Sequence, residues 1–463
     1  MSRLKKMFLS LAMSATVLTT ACMAGEPATL MEFLTPANEQ LDLGGYEFVI
    51  ETSWMNQYYP DRSDTTEWGE RQLDRYEAVG KKYNCKIVGK DIKDYGYGVT
   101  ELLTSLLIAD KPLPNLIDMH TNEIYDYYKS GLLYALDDIP TIDINDEKWG
   151  TVEFRTYGIF DGKSYGFFPF EWENMPEYAG GLIYNIELGY NRGFDINVHE
   201  LKEQGQWTWE NFESILQSMS GVDENIMPLG IRANEGLYYF AKAAIFSNGG
   251  QIVDQDSNVV YSFALTDKKA VKALEWAQGL ISKELVNTSD DTIDFTNKSS
   301  FFHACESYVA THTDDWMNGK YPASVMKDYT FINMPVGPDA DENTVSAYTH
   351  SQRRLFWVPA YGSLEMEFLG MIIDDIFEPL EGSSSQAWRE MSKNMMYLYE
   401  EGYEEFAFGV EHCNYDYTGQ LYNVKDMLNN TLNAIMTGSG ISEQIASIQP
   451  AIEEAINTEL NNN

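Results

Sequence analysis

Between Tyr46 and Gly131 the sequence alternates three times between a short β-rich run and a longer segment with helical periodicity. Tyr46 to Thr52, Cys85 to Val88 and Leu116 to Met119 read as strands, while Thr66 to Tyr83, Val99 to Ile108 and Glu123 to Ser130 read as helices. In the first helix Leu73, Tyr76, Val79 and Tyr83 share one face; in the second Leu102, Leu103, Leu106 and Leu107 form a stripe. Consecutive strands separated by helices pair through crossovers, so this alternation predicts a mainly parallel sheet flanked by helices, an α/β lobe.

The chain has 463 residues, too many for one ordinary core and comfortable for two. Asp161 to Asn185 reads as the place where it passes from one lobe to the other. Asp161-Gly162 supplies a turn and Tyr165 to Phe170 an apolar strand, which Pro169 weakens because it cannot donate to a ladder. A polar interval follows, with Glu171 and Trp172 at the crossing, then a second apolar strand at Leu182 to Asn185. Beyond it, Thr208 reads as a helix N-cap, Met227 to Ile231 as a strand and Leu237 to Phe246 as an apolar helix. Ile252 to Tyr261 reads as two short strands round a turn, and Thr266 opens another helix. Ser307 to Thr311, Tyr329 to Met334 and Leu355 to Pro359 read as strands, and the chain from Met366 onward as mostly helical.

Acidic residues number 71 against 32 basic ones, a net charge of −39. A field of that sign repels phosphate backbones, which argues against nucleic-acid binding and disfavours an acidic ligand. At the N-terminus Ser2 to Lys6 is basic and Met7 to Leu18 apolar, too short for a permanent bilayer span, which is the pattern of a secretory leader. Cys85, Cys305 and Cys413 are an odd number at long, irregular spacing, so no disulfide framework or zinc motif is legible.

Two motifs tempt and fail. Gly162-Lys-Ser164-Tyr-Gly166 matches the nucleophile elbow letter for letter, but that elbow needs a strand before its serine and a helix after it. Here a turn precedes Ser164 and a strand follows. Asp254-Gln-Asp256-Ser-Asn258 opens like a calcium loop, yet Val259 stands where glycine is required and Leu265 where glutamate is required. His303 and His312 are too far apart to share one helical metal face. No cofactor or metal is expected. Seven aromatics carry more information: Trp54, Tyr58, Tyr59, Trp172, Tyr238, Trp316 and Trp357 fall at strand ends or loop junctions, off the periodic core stripes. Rings placed there beside Asp, Glu and Asn suit sugar stacking and hydrogen bonding, though each could equally cap a core.

Taken in order, several stretches resemble the extracellular solute-binding proteins of ATP-driven (ABC) importers, the maltose-binding-protein-like sugar-binding class. They are Asp161-Gly-Lys-Ser-Tyr-Gly-Phe167, Leu182-Ile-Tyr-Asn185, Thr208-Trp-Glu-Asn-Phe212, Ser247-Asn-Gly-Gly-Gln-Ile-Val-Asp254, Phe302-His-Ala-Cys-Glu-Ser-Tyr-Val-Ala310 and Met334-Pro-Val-Gly-Pro338. Leu18-Thr-Thr-Ala-Cys22 resembles a bacterial lipobox, with Thr19 where that motif prefers leucine.

The resemblance implies a two-lobed periplasmic-binding-protein-like (type II) fold with a ligand cleft at the hinge. It implies a lipoprotein signal peptide over 1–21, a tether over 22–43 beginning at acylated Cys22, lobe I from 44–168 and 311–355, and lobe II from 169–310 and 356–460. By position, binding loops fall on Trp54 to Tyr59, with Asn56 inside, and on His120 to Asn122. A hinge acid or ring falls on Glu171 or Trp172, an acid and an aromatic on Glu235 and Tyr238, and the stacking tryptophan on Trp316, with Asp315 beside it. The first loop lacks the maltose binder's charged pair, so the ligand need not be maltose. The implied protein is a lipid-anchored monomer on the outer face of a bacterial cell membrane. It is no enzyme: it binds a carbohydrate and serves permease subunits and, through them, a cytoplasmic ATPase. The competing readings are a secreted glycoside hydrolase and a same-fold binder of a non-sugar solute.

Overall fold

The computed structural model describes residues 34–35, 40–52, 55–63, 65, 67–92, 99–121, 124–150, 155–169, 177–233, 235–258, 260–310, 321–341, 344–349, 354–378 and 399–461. Ten of its strands form two five-stranded sheets. In chain order they are β1 (Tyr46–Thr52), β2 (Cys85–Asp91), β3 (Leu116–His120), β4 (Gly166–Phe167) and β5 (Gly181–Tyr184), then β6 (Met227–Ile231), β7 (Val286–Asn287), β8 (Ser300–Cys305), β9 (Thr330–Asn333) and β10 (Arg354–Trp357). The main helices are α1 (Glu67–Tyr83), α2 (Val99–Ile108), α3 (Ile124–Lys129), α4 (Trp209–Met219), α5 (Glu235–Ser247), α6 (Lys268–Ser282), α7 (Met366–Ile376), α8 (Glu400–Glu411), α9 (Lys425–Met436) and α10 (Ile441–Ala455).

The chain divides into two compact units, the first from 1–151, 158–174 and 354–385, the second from 152–157, 175–353 and 386–463. The first unit's sheet runs β2-β1-β3-β10-β4. β1 lies parallel to β2 and β3, whereas β10 is antiparallel to both β3 and β4. The alternation of strands and helices therefore gives the parallel half, and a late strand enters the sheet in reverse. Leu73, Tyr76, Val79 and Tyr83 of α1 are all buried, as their spacing predicts, and pack with Phe48, Ile50, Leu369 and Ile373. The stripe on α2 is less complete: Leu103 is fully buried but Leu102 is exposed. At the sheet's edge, exposed Lys86 and Lys90 of β2 stand opposite Glu47 and Glu51 of β1, charged pairs that blunt an edge strand.

The second unit repeats the plan with other segments. Its sheet runs β7-β6-β8-β5-β9, with β6 parallel to β7 and β8, and β5 antiparallel to β8 and β9. Thr208 caps α4 by accepting from the Asn211 backbone N–H at 3.4 Å, and Trp209 of α4 stacks on Trp276 of α6 at 4.3 Å and 2°. Helices α5, α6, α9 and α10 contribute Phe240, Leu274, Leu432 and Ile448 to one buried core.

Two expectations need correction. The resemblance places residues 311–355 in the first lobe and 356–460 in the second, but β9 pairs with β5 in the second unit and β10 with β3 in the first. Phe331 and Ile332 are as buried as Leu355 and Phe356, and an apolar run of either kind does not say which sheet it completes. The strand expected over Ser307 to Thr311 lies earlier, at β8, and Ser307–Ala310 is a 3-10 turn. Each sheet is mainly parallel as expected, four of its five strands running one way, and mixed only in that the fourth strand is reversed.

Ser164 closes a hairpin between Ile159–Phe160 and Lys163–Ser164, turning on Asp161 and Gly162 with φ of 50° and 72°. Two positive φ values in a two-residue loop are what a tight hairpin requires, and no helix follows the serine. Asp256 spends a carboxylate oxygen on the backbone N–H groups of Asn258 and Val260, the bonding of a turn. His303 is buried in β8 and stacks on Phe295; His312 lies outside the described residues. Cys85, Cys305 and Cys413 form no disulfide among the described residues. No helix among the described residues is long and apolar enough to cross a membrane.

Candidate functional site

In each sheet the parallel strands end together, and side chains just past those ends are the ones an open α/β sheet offers to a ligand. In the first unit, β1 ends at Thr52 and β3 at His120. Thr52 Oγ1 donates to Asp118 Oδ2 at 2.7 Å, with both residues essentially buried. A carboxylate held this deep at a strand end is fixed in position by its hydrogen bonds.

In the second unit the equivalent strands are β6 and β8. Arg232 directly follows β6 and Glu306 directly follows β8. Arg232 Nη2 donates to Glu235 Oε2 at 2.8 Å and lies 3.5 Å from Glu306 Oε1. Burial works against its charge, but Glu306 foremost, then Tyr308 and Glu235, more than offset that and hold the guanidinium above its ordinary pKa. The arginine side chain is 35% exposed, and its Nε and Nη1 take no partner among the described residues. Glu306 is nearly buried. Tyr238, on the first turns of α5, meets Tyr239 edge-on at 4.5 Å, and burial pushes its hydroxyl up to about 12. A cavity of about 20 Å³, room for one water, is lined here by Arg232, Tyr239, His303, Cys305 and Glu306. The second unit thus presents unspent guanidinium donors, two carboxylate acceptors and tyrosine rings at one edge of its sheet. That mixture matches a polyhydroxylated, uncharged molecule better than an anion, because Arg232 is already outweighed by the carboxylates of Glu235 and Glu306.

The residues expected at the site fall into three groups. Glu235 is exposed and paired with Arg232, and Tyr238 is half-buried beside it. Tyr58, Tyr59 and Trp357 belong to the first unit's packing instead. Tyr58 is buried edge-on against Phe356 at 4.7 Å, and its carbonyl accepts from Tyr76 Oη at 2.6 Å. Tyr59 stacks on Tyr76 at 5.6 Å and donates to the Ile87 carbonyl at 3.1 Å. Trp357 has no exposed surface; a Cβ at Gly166 would lie 2.8 Å from its ring. Strand-end position alone could not separate a presented ring from a buried one. Asn56 lies in a one-turn helix and His120 closes β3, but their side chains lie outside what is described. Trp54, Asn122, Glu171, Trp172, Asp315, Trp316 and Cys22 lie outside the described residues. Arg232, Glu306, Thr52 and Asp118 join the candidate site only from the structure. Arg232 and Glu306 had a legible signal, each being the first charged residue past an apolar run; Asp118 sits inside its run and had none.

The fold has solved counterparts. The cyclic α-maltosyl-1,6-maltose binding protein from Arthrobacter globiformis matches with a TM-score of 0.63 at 15% identity, over 91% of this chain and 100% of that one. UgpB from Mycobacterium tuberculosis, solved with glycerophosphocholine, gives 0.61 at 15%, over 90% and 100%. The GacH receptor of Streptomyces glaucescens, solved with acarbose, gives 0.58 at 13%, over 89% and 99%. No protein-family model and no curated protein matches the chain. The likeness establishes the fold: a mixed α/β, type II periplasmic-binding-protein-like fold over most of the chain.

Proposed function

We propose that the chain is the extracellular solute-binding protein of an ABC importer, closing its two units on a carbohydrate, an oligosaccharide in this reading, and delivering it to a separate permease. The observation that carries this is the edge of the second sheet, where Arg232 keeps free donors beside Glu235, Glu306 and Tyr238. Alternating donors and acceptors next to tyrosine rings complement vicinal hydroxyls and an apolar sugar face. Several proteins that share the fold were solved with oligosaccharides or are named for them. The site in this reading also takes Trp54, Asn56, His120, Asn122, Glu171, Trp172, Asp315 and Trp316. Tyr58, Tyr59 and Trp357 are left out of it. Binding needs no covalent chemistry, since differential contacts with open and closed states suffice to shift a population. Cys22 would carry the lipid that holds the protein, as a monomer, outside the cell membrane.

A thermal-shift screen tests the reading. A neutral oligosaccharide at a hundred times its Kd should stabilise the chain by about 2.7 kcal/mol, readily seen as a rise in Tm. A rise with glycerophosphocholine alone, one fold neighbour's ligand, would point instead to a non-sugar solute.

A further inference from the structure

The second unit contains a buried polar bridge that the site does not use. Lys242 lies in α5, one turn past Tyr238, and its ammonium is 5.8 Å from the Tyr238 ring centroid. That ammonium donates to Asp416 Oδ2 at 2.8 Å and Thr418 Oγ1 at 2.7 Å, and both ends of the ion pair are at least 95% buried. Thr418 in turn donates its hydroxyl to Asp416 Oδ1 at 2.7 Å. The Asp416 backbone N–H donates to Thr349 Oγ1 at 3.0 Å, and Tyr157 Oη donates to the Asp416 carbonyl at 3.0 Å. Tyr157 Oη also lies 3.0 Å from Thr349 Oγ1. Thr349 pairs with Tyr178, next to Tyr348, whose hydroxyl returns to α5 by donating to the Tyr239 carbonyl at 3.2 Å.

The sequence positions of these residues give the bridge its meaning. Tyr157 is the last residue before the chain leaves the second unit at 157/158, Tyr178 comes just after it re-enters at 174/175, and Thr349 stands just before it leaves at 353/354. Three separate passages thus begin or end on one hydrogen-bonded knot, and Lys242 ties that knot to the helix carrying Tyr238. A buried ion pair is weak evidence for stability, because desolvation cancels much of its attraction, but it fixes one geometry.

We propose that the Lys242–Asp416–Thr418 bridge is a coupling device: it transmits the state of the first turns of α5, where the candidate ligand site lies, to the segments beside three of the five points at which the chain enters or leaves the second unit. Lys242 is a positioning residue in this scheme and touches no ligand. The proposal rests on α5 bearing the ligand site, yet its test needs no ligand.

Hydrogen exchange on the full chain without ligand reads the coupling. The double variant Lys242→Met/Asp416→Leu replaces the pair by apolar groups of similar size, so it should melt close to wild type. Its amides over 155–160, 177–180, 345–349 and 239–243 should nevertheless exchange at least tenfold faster, together. Acceleration confined to the neighbours of 242 and 416, or present at the passages but absent from α5, overturns the proposal. Should that variant fail to fold, Tyr157→Phe removes only one hydroxyl; it should give a smaller acceleration, about threefold, that still reaches 239–243. No change there would count equally against it. The sugar screen decides the ligand reading separately, because wild type can bind a sugar with the bridge inert, or bind none with the coupling intact.

Discussion

The two units solve the same topological problem with different chemistry at the same place. Each has three parallel strands, a reversed fourth strand and a fifth that restores the direction. Near the central pair of strand ends, the first unit has a buried Thr52–Asp118 hydrogen bond within the strands, whereas the second has, just past them, a half-exposed Arg232 with Glu306. Their buried lysines differ too. Lys148 in the first unit is held by Asp374 and Glu378, which are 37% and 57% exposed, whereas Lys242 faces an Asp416 that is 3% exposed. Similar backbone plans therefore leave the electrostatics free, and the second unit concentrates its unpaid desolvation next to the candidate site.

Removing one lysine from each unit tests that contrast most severely. Lys242→Met leaves Asp416 buried without its cation and should cost about 3–5 kcal/mol in chemical denaturation. Lys148→Met leaves its carboxylates able to reach water and should cost about 1–2 kcal/mol. Equal losses would erase the distinction.

Next come the aromatics. Trp357→Ala should destabilise by about 3–5 kcal/mol, as a fully buried ring does when truncated. Tyr238→Ala, at the second unit's sheet edge, should cost about 1–2 kcal/mol of stability yet weaken ligand binding at least tenfold. Unaltered affinity would return Tyr238 to simple packing.

How much of this could be read beforehand depends on how local the cause is. The helical face of α1, the Thr208 cap, the Asp161-Gly162 turn and β1 to β3 follow from residues close in sequence, and they were legible. The units' composition was not, because β9 and β10 are apolar runs of equal length whose partners lie over a hundred residues away. The candidate site was only partly legible for the same reason. Glu235 and Tyr238 could be placed from order along the chain, but whether Trp357 is presented or buried depends on Gly158 and Gly166 meeting its ring. Arg232 meets Glu306 only because β6 and β8 pair in parallel.

A subtler test concerns Lys425, at the start of α9. Burial first, then Lys242, lowers its pKa from 10.5 to about 8, against the pull of Asp426 and Asp416. Between those values the unfolded chain holds the proton that the folded chain has lost, so this group makes stability rise as pH climbs from about 8 to 10.5. Lys425→Met should therefore be more stable than wild type at pH 7, on the order of 2 kcal/mol, with the advantage fading by pH 11. A constant difference across that range would show that the lysine is not desolvated as described.

The smallest effect expected lies at the first unit's sheet edge. Lys86→Ala should change stability by less than about 0.5 kcal/mol, because its partner Glu47 is as exposed as it is.

Isothermal titration calorimetry of the wild-type chain against neutral oligosaccharides, uronate oligosaccharides and glycerophosphocholine, repeated with Glu306→Gln, bears most directly on the central claim. The account predicts saturable binding of at least one neutral oligosaccharide, none of the uronates, and at least a tenfold loss in the variant. No heat with any neutral sugar, together with binding of an anionic or non-sugar solute that Glu306→Gln leaves unchanged, would contradict it.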